Sequence, residues 1–186
     1  MAPASRSTPP PLSPPDLYDA PLAFRNARDD ELDALSTLIR AAYVEYENSY
    51  PPAVWPRYYE NVGKTRDLPA AAELIVAERE GRVTGCVTFY ADGTQSGQGA
   101  WPGGWAGILR LAVPPDERGA GVGRALVEEA IRRCRERGVR TLALHTTVWM
   151  DVARNMYERM GFVRVQTFDF HPRPGVIGMG YKLDIA

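Results

Sequence analysis

The chain has 186 residues, 45% of them hydrophobic and 24% charged, with a formal net charge of -1. That length suits one domain with a developed core and is too short to expect two. The near-neutral balance leaves no electrostatic footprint for nucleic acid or an anionic membrane, and no apolar run approaches the roughly 20 residues that a bilayer span needs.

Residues 1–15 are rich in proline and serine, carry Arg6 as their one charge and lack an apolar stretch, so they do not read as a secretory signal. Pro9, Pro10, Pro11, Pro14 and Pro15 oppose helix and central strand. Residues 1–20 are therefore expected to form an extended or disordered tail before a folded unit over 21–186. A short strand is expected over 21–26. Asp29 and Asp30 then offer a helix start, and Leu32, Leu35, Leu38, Ile39, Ala42, Tyr43 and Tyr46 recur at the spacing of one helical face. A second short helix is expected over 53–62.

Two strands over 73–80 and 82–91, joined at Gly81, read as a hairpin. Residues 92–104 are a glycine-rich loop, and 105–113 form a third strand that stops at Pro114 and Pro115. The clearest helix runs over 123–137, with Leu126, Val127, Ala130, Ile131 and Cys134 on its apolar face. Glu128–Arg132 and Glu129–Arg133 are expected as favourable pairs on its wet side. A strand over 141–147, a helix over 151–160 and strands over 162–170 and 176–183 complete a mixed α/β fold around one central sheet. Asp151 is expected to cap the last helix, and Pro172 and Pro174 to mark the final turn. Cys86 and Cys134 stand far apart within apolar patterns, which predicts core packing rather than metal or redox chemistry and, by default, a reducing cytoplasm.

The segment from Asp116 to Arg124 holds Gly119, Gly121 and Gly123 between a buried strand and an amphipathic helix. Glycine lets a ligand approach the main chain closely. The start of a helix presents unpaired N–H groups and the positive end of a dipole, so a phosphate is the natural guest. A Walker loop would need Gly-Lys-Ser/Thr at its end, and the dinucleotide fingerprint would need a small residue where Arg124 stands. A turn that merely caps a helix is the plainer alternative for these residues alone.

Arg118-x-x-Gly121-x-Gly123, following Leu111-Ala112-Val113 and preceding the long helix, resembles the Gln/Arg-x-x-Gly-x-Gly/Ala signature of the GNAT N-acetyltransferase superfamily. Ala153-x-x-Met156-Tyr157-Glu158-Arg159-Met160-Gly161-Phe162 is similar to a second segment of that family. The resemblance implies a central mixed, mostly antiparallel sheet flanked by helices, and acetyl-coenzyme A as co-substrate. It assigns the pyrophosphate to Arg118, Gly119, Ala120, Gly121, Val122, Gly123 and Arg124, the pantetheine arm and an oxyanion donor to Leu111, Ala112 and Val113, and the general acid to Tyr157. Relatives often carry asparagine seven residues before this tyrosine, where Met150 stands here.

The amine base is not identified by the sequence. Residues 105–113 contain no acid, and Glu45 and Glu47 are candidates that a solvated helix surface explains as well. Among the aromatic residues near the first two helices, Tyr43 and Tyr46 are read first as core, while Tyr50, Trp55 and Trp101 are freer to line a pocket. Neither His145 nor His171 has a partner arguing for catalysis or metal. The acceptor is expected to be a small-molecule or peptide amine, with no nucleic acid, membrane or metal involved, in a monomer or homodimer. A different acyl-coenzyme A, or a non-catalytic sensor of coenzyme A, are the alternatives.

Overall fold

The computed structural model describes residues 20–186. The expected tail therefore lies outside the described residues, except for Ala20. In chain order the elements are β1 (Ala23–Asn26), α1 (Leu32–Tyr43), α2 (Trp55–Val62), β2 (Ala72–Arg79), β3 (Arg82–Tyr90), β4 (Ala106–Ala112), α3 (Val122–Glu136), β5 (Thr141–Thr146), α4 (Asp151–Arg159), β6 (Val163–Arg164), β7 (Phe170–Arg173) and β8 (Val176–Asp184). The strands form one eight-stranded sheet in the order β1-β2-β3-β4-β5-β8-β6, with β7 also paired to β8. The β4–β5 pair is parallel and the others are antiparallel. A parallel pair needs a crossover connection, and α3 supplies it.

Both faces of the sheet are covered, which explains why β2 reads as a nearly continuous apolar run rather than an alternation. Ile75, Ala77, Val87 and Phe89 pack with Val122, Leu126, Val127 and Ala130 of α3. The intervening Leu74, Val76 and Cys86 pack with Leu35, Ile39 and Ala42 of α1. Cys86 and Cys134 are buried free thiols that burial pushes up to about 12, as core packing requires.

Several expectations need correction. The apolar stripe of α1 does not continue as α-helix to Tyr46, because the chain tightens into a 3-10 turn over Val44–Ser49. The strand expected over 162–170 shrinks to β6. A 3-10 turn over Gln166–Phe168 follows, and then β7, which tolerates Pro172 because it pairs only with β8. Met150, not Asp151, is the N-cap of α4, and the Asp151 carboxylate instead accepts from Arg154. Finally, the Glu129–Arg133 pair is not on a wet face. The two residues are only 6% and 8% exposed, and Arg133 also reaches Glu73 across to β2.

Candidate active site

The site begins where β4 and β5 part. They pair only at Ala106–Leu142, Gly107–Ala143 and Ile108–Leu144, so among the described residues β4 beyond Ile108 has no neighbouring strand on that side. Toward β3 the register runs from Cys86–Ala112 to Thr88–Leu109, which places one extra residue in β4. Arg110 sits in this bulge with φ +53, a left-handed conformation costing a non-glycine residue about 1–3 kcal/mol. Its guanidinium donates to the Lys64 carbonyl at 3.0 Å. Such bulges re-aim a strand, and this one lies at the mouth of the gap.

A cleft of about 700 Å³ opens from the gap toward the start of α3 and the inner face of α4. Gly119 and Gly121 adopt φ values of +84 and +76, and Gly121 is the N-cap of α3. A side chain there would meet nothing within 4 Å, so backbone conformation rather than space demands glycine. The main-chain amides of residues 119–124 have no acceptor among the described residues, and the first helical bond runs from Ala125 to Gly121 at 3.0 Å. A row of free donors at the positive end of a 15-residue helix fits a pyrophosphate.

The two arginines of the motif are occupied elsewhere. Arg118 donates to the Val113 carbonyl at 3.1 Å, the Ala42 carbonyl at 3.0 Å and Glu45 at 2.7 Å. It therefore straps the loop to the end of β4 and to α1. Arg124 pairs with Glu128 at 2.8 Å. Arg159, which the sequence reading passed over, also lines the cleft and has no ion pair among the described residues. It stands within the Ala153–Phe162 segment, where the resemblance gives a role to Tyr157 alone.

Of the predicted site residues, Leu111, Val113, Arg118, Gly119, Gly121, Val122, Gly123, Arg124 and Tyr157 line the cleft. Ala112 does not: it is fully buried on the opposite side of its strand, against α1. Ala120 packs toward the core beneath α3. The Tyr157 ring is 6% exposed and lies 5.6 Å from the Phe162 ring. Burial pushes its hydroxyl well above the usual value, with a smaller contribution from Tyr46. Tyr43 is next to it in the cleft wall and donates to the Leu111 carbonyl at 3.3 Å.

The aromatic assignments partly reverse. Tyr43 and Tyr46 line the cleft, whereas Trp55 and Trp101 are buried away from it. Glu45 is at the cleft edge, where burial raises its carboxyl but the hydrogen bonds from Arg118 and Tyr46 outweigh this and hold it below the usual range. Glu47 is exposed and lines neither cavity.

A second cavity of about 500 Å³, lined by α2, the loop over 97–99 and the β7–β8 hairpin, adjoins the cleft. The two share Tyr43, Leu109, Arg110, His145, Thr146 and Met150, residues at the parting of β4 and β5. His145 thus has the partners that the sequence concealed. Its ring stacks on Trp101 at 4.2 Å, and its Nε2 lies 2.8 Å from the Phe168 carbonyl. A carbonyl only accepts, so Nε2 carries the hydrogen and Nδ1 keeps its lone pair.

Burial pulls the His145 imidazole down to about 4, more than the Phe168 bond and Asp169 raise it. Its folded value is below the ordinary 6.5, so the unfolded chain binds the extra proton between those values. The stability it contributes is complete above about pH 6.5 and is lost as pH falls toward 4. The gap corresponds to roughly 3 kcal/mol. Thermal melts from pH 7.5 to 4.5 are expected to fall more steeply for the native chain than for His145→Gln, and parallel curves would contradict this account.

Among the described residues no helix is long and apolar enough to cross a membrane. Known proteins fit the geometry. The model of the acetyltransferase (GNAT) family matches residues 35–162, more than half of the chain. A mycothiol acetyltransferase of Cellulomonas flavigena is 40% identical over 95 residues, half of this chain, and one of Propionibacterium freudenreichii is 31% identical over 149 residues, 78% of it. This chain spans only 27% and 44% of those proteins' own lengths. The PaiA N-acetyltransferase of Thermoplasma acidophilum, solved with coenzyme A, shares the fold with a TM-score of 0.69 at 14% identity, over 88% of this chain and 99% of that one. The parted parallel strands, the amide-lined loop and the matched span agree, and the chain belongs to the GNAT acetyltransferase family.

Proposed function

We propose that this chain transfers an acetyl group from acetyl-coenzyme A to a primary amine. The observation that carries the reading is the junction at the β4–β5 gap, where an amide-lined cleft with Tyr157 in its wall meets a second, separate cavity. Acetyl-coenzyme A supplies an acyl thioester. The amides of residues 119–124 hold the pyrophosphate, and the unpaired edge of β4 over 111–113 receives the extended arm and offers an N–H to the carbonyl oxygen as it gains charge. Approach from the second cavity brings the amine to the carbonyl carbon. A C–N bond forms, the C–S bond breaks with its electron pair on sulfur, nitrogen gives up a proton and sulfur takes one.

Tyr157 donates to the departing sulfur. Burial keeps its hydroxyl protonated throughout the physiological range. The same desolvation raises the basicity of the thiolate, so burial does not oppose the transfer. On the nitrogen side the proton leaves to water through the junction, since the burial that holds the His145 imidazole at about 4 makes it a weak base.

The test is calorimetry with acetyl-coenzyme A beside a free-thiol release assay over a panel of amines. Micromolar binding with thiol release is expected. Binding without release would favour a non-catalytic coenzyme A module, and no binding would end the reading of the loop.

A further inference from the structure

Three arginines line the second cavity, each from a different element. Arg57 comes from α2, Arg110 from the β4 bulge and Arg173 from the end of β7. Among the described residues no aspartate or glutamate lines that cavity. Several arginines elsewhere in the fold are held by carboxylates: Arg25 by Glu31 and Glu78, Arg66 by Asp33, Arg164 by Asp169. These three have no ion pair among the described residues. Arg110 donates to the Lys64 carbonyl and Arg173 to that of Pro172, both at 3.0 Å.

The remaining titratable groups on the wall do not offset this charge. His145 is held neutral by burial, as are the hydroxyls of Tyr43, Tyr50 and Tyr58. Thr146 and Thr147 on the same wall are also uncharged.

A concave wall of one sign concentrates its field and selects the opposite charge. An unmodified alkylamine enters at neutral pH as an ammonium ion, which three cations repel. We infer that the acceptor is a small primary amine bearing a carboxylate or another oxyanion in the same molecule, a class that excludes polyamines and basic peptide segments. Arg57 and Arg173 are exposed and Arg110 is half-buried at the junction with the coenzyme cleft. The two exposed arginines hold the oxyanion, for which the guanidinium fork is suited. Arg110, near the reacting carbon, disfavours the ammonium form and helps deliver the free amine.

This inference rests on the acetyltransferase reading, and the test separates the two. Matched pairs that differ only in charge, an α- or ω-amino acid and its carboxamide, are compared with spermidine. Two readouts are taken: thiol release, and equilibrium binding to the protein loaded with coenzyme A. The carboxylates are expected to bind and react at least tenfold better, with the preference shrinking as salt rises. Arg57→Gln and Arg173→Gln are each expected to weaken the carboxylate about tenfold and so narrow the acid–amide preference, while coenzyme A binding is unaffected, since neither arginine lines the coenzyme cleft.

Equal binding of acid and amide, or a better response to spermidine, would overturn the acceptor class. A preference that survives both substitutions would overturn its assignment to these arginines. Failure of coenzyme A to bind would instead strike the acetyltransferase reading, and the binding preference for the acid over the amide, read on the unloaded protein, would still decide the acceptor class.

Discussion

Replacing Tyr157 by phenylalanine is expected to lower kcat between a hundredfold and ten-thousandfold and to leave the KM for acetyl-coenzyme A within twofold. The ring keeps its packing on Phe162 and only the hydroxyl is lost. That hydroxyl supports no neighbour, since it makes no hydrogen bond among the described residues. A purely structural tyrosine would therefore show a small change in stability and a small change in rate. Tyr43→Phe is the matched control: it removes a hydroxyl bonded to the Leu111 carbonyl from the same cleft wall. Its rate is expected to drop about tenfold at most, the scale of one neutral hydrogen bond. Equal losses in the two variants would remove the distinction on which the role of Tyr157 rests.

Arg133→Leu is expected to destabilise the fold by about 3 kcal/mol, the low end of the cost of stranding a buried charge. In a chain of this size that is a fall of roughly 10 °C in Tm. Arg133 lies 2.9 Å from Glu129 and 2.7 Å from Glu73, and it also bonds Asn26, so one side chain joins α3 to β1 and β2. Arg132 remains to pair with Glu129 and Arg137 with Glu73, which places the cost at the low end. For Glu129 burial acts to raise the carboxyl, but the Arg132 and Arg133 bonds outweigh it and hold it below the usual range. Its contribution is thus present above ordinary carboxylate values and lost as pH falls through the folded one. The double variant with Glu129→Leu is expected to recover most of the loss, because two apolar side chains leave no stranded charge. A single variant within 0.5 kcal/mol of the native chain in denaturant titrations would show the network to be inconsequential.

Local signals were legible where local physics decides. The apolar period of α3, the hairpin at Gly81 and the glycine loop all depend on residues adjacent in the chain, and each is where the sequence puts it. The Glu129–Arg133 spacing was equally plain, but burial depends on β1 and β2, whose residues lie about a hundred positions or more than fifty away. The surroundings of His145 were hidden for the same reason. Its meaning comes from Trp101 and Phe168, neither near it in sequence. The arginines of the second cavity belong to three separate elements and follow no motif. Arg118 shows the converse case: the motif located the loop, but its side chain turned out to tie that loop to α1.

Among the described residues, the β1–β4 half of the sheet is laddered to the β5–β8 half only through residues 106–108 and 142–144. The β2–β3 ladder, by contrast, runs from Ala72 to Arg79 along nearly its full length. Opening is cheapest where a ladder is shortest. In amide deuterium exchange the strands flanking this seam are expected to label before the β2–β3 hairpin, although both are buried. A molecule lodged between the splayed ends of β4 and β5 fastens the halves together. Its binding is then expected to slow labelling on both sides of the seam at once, including at amides it never touches.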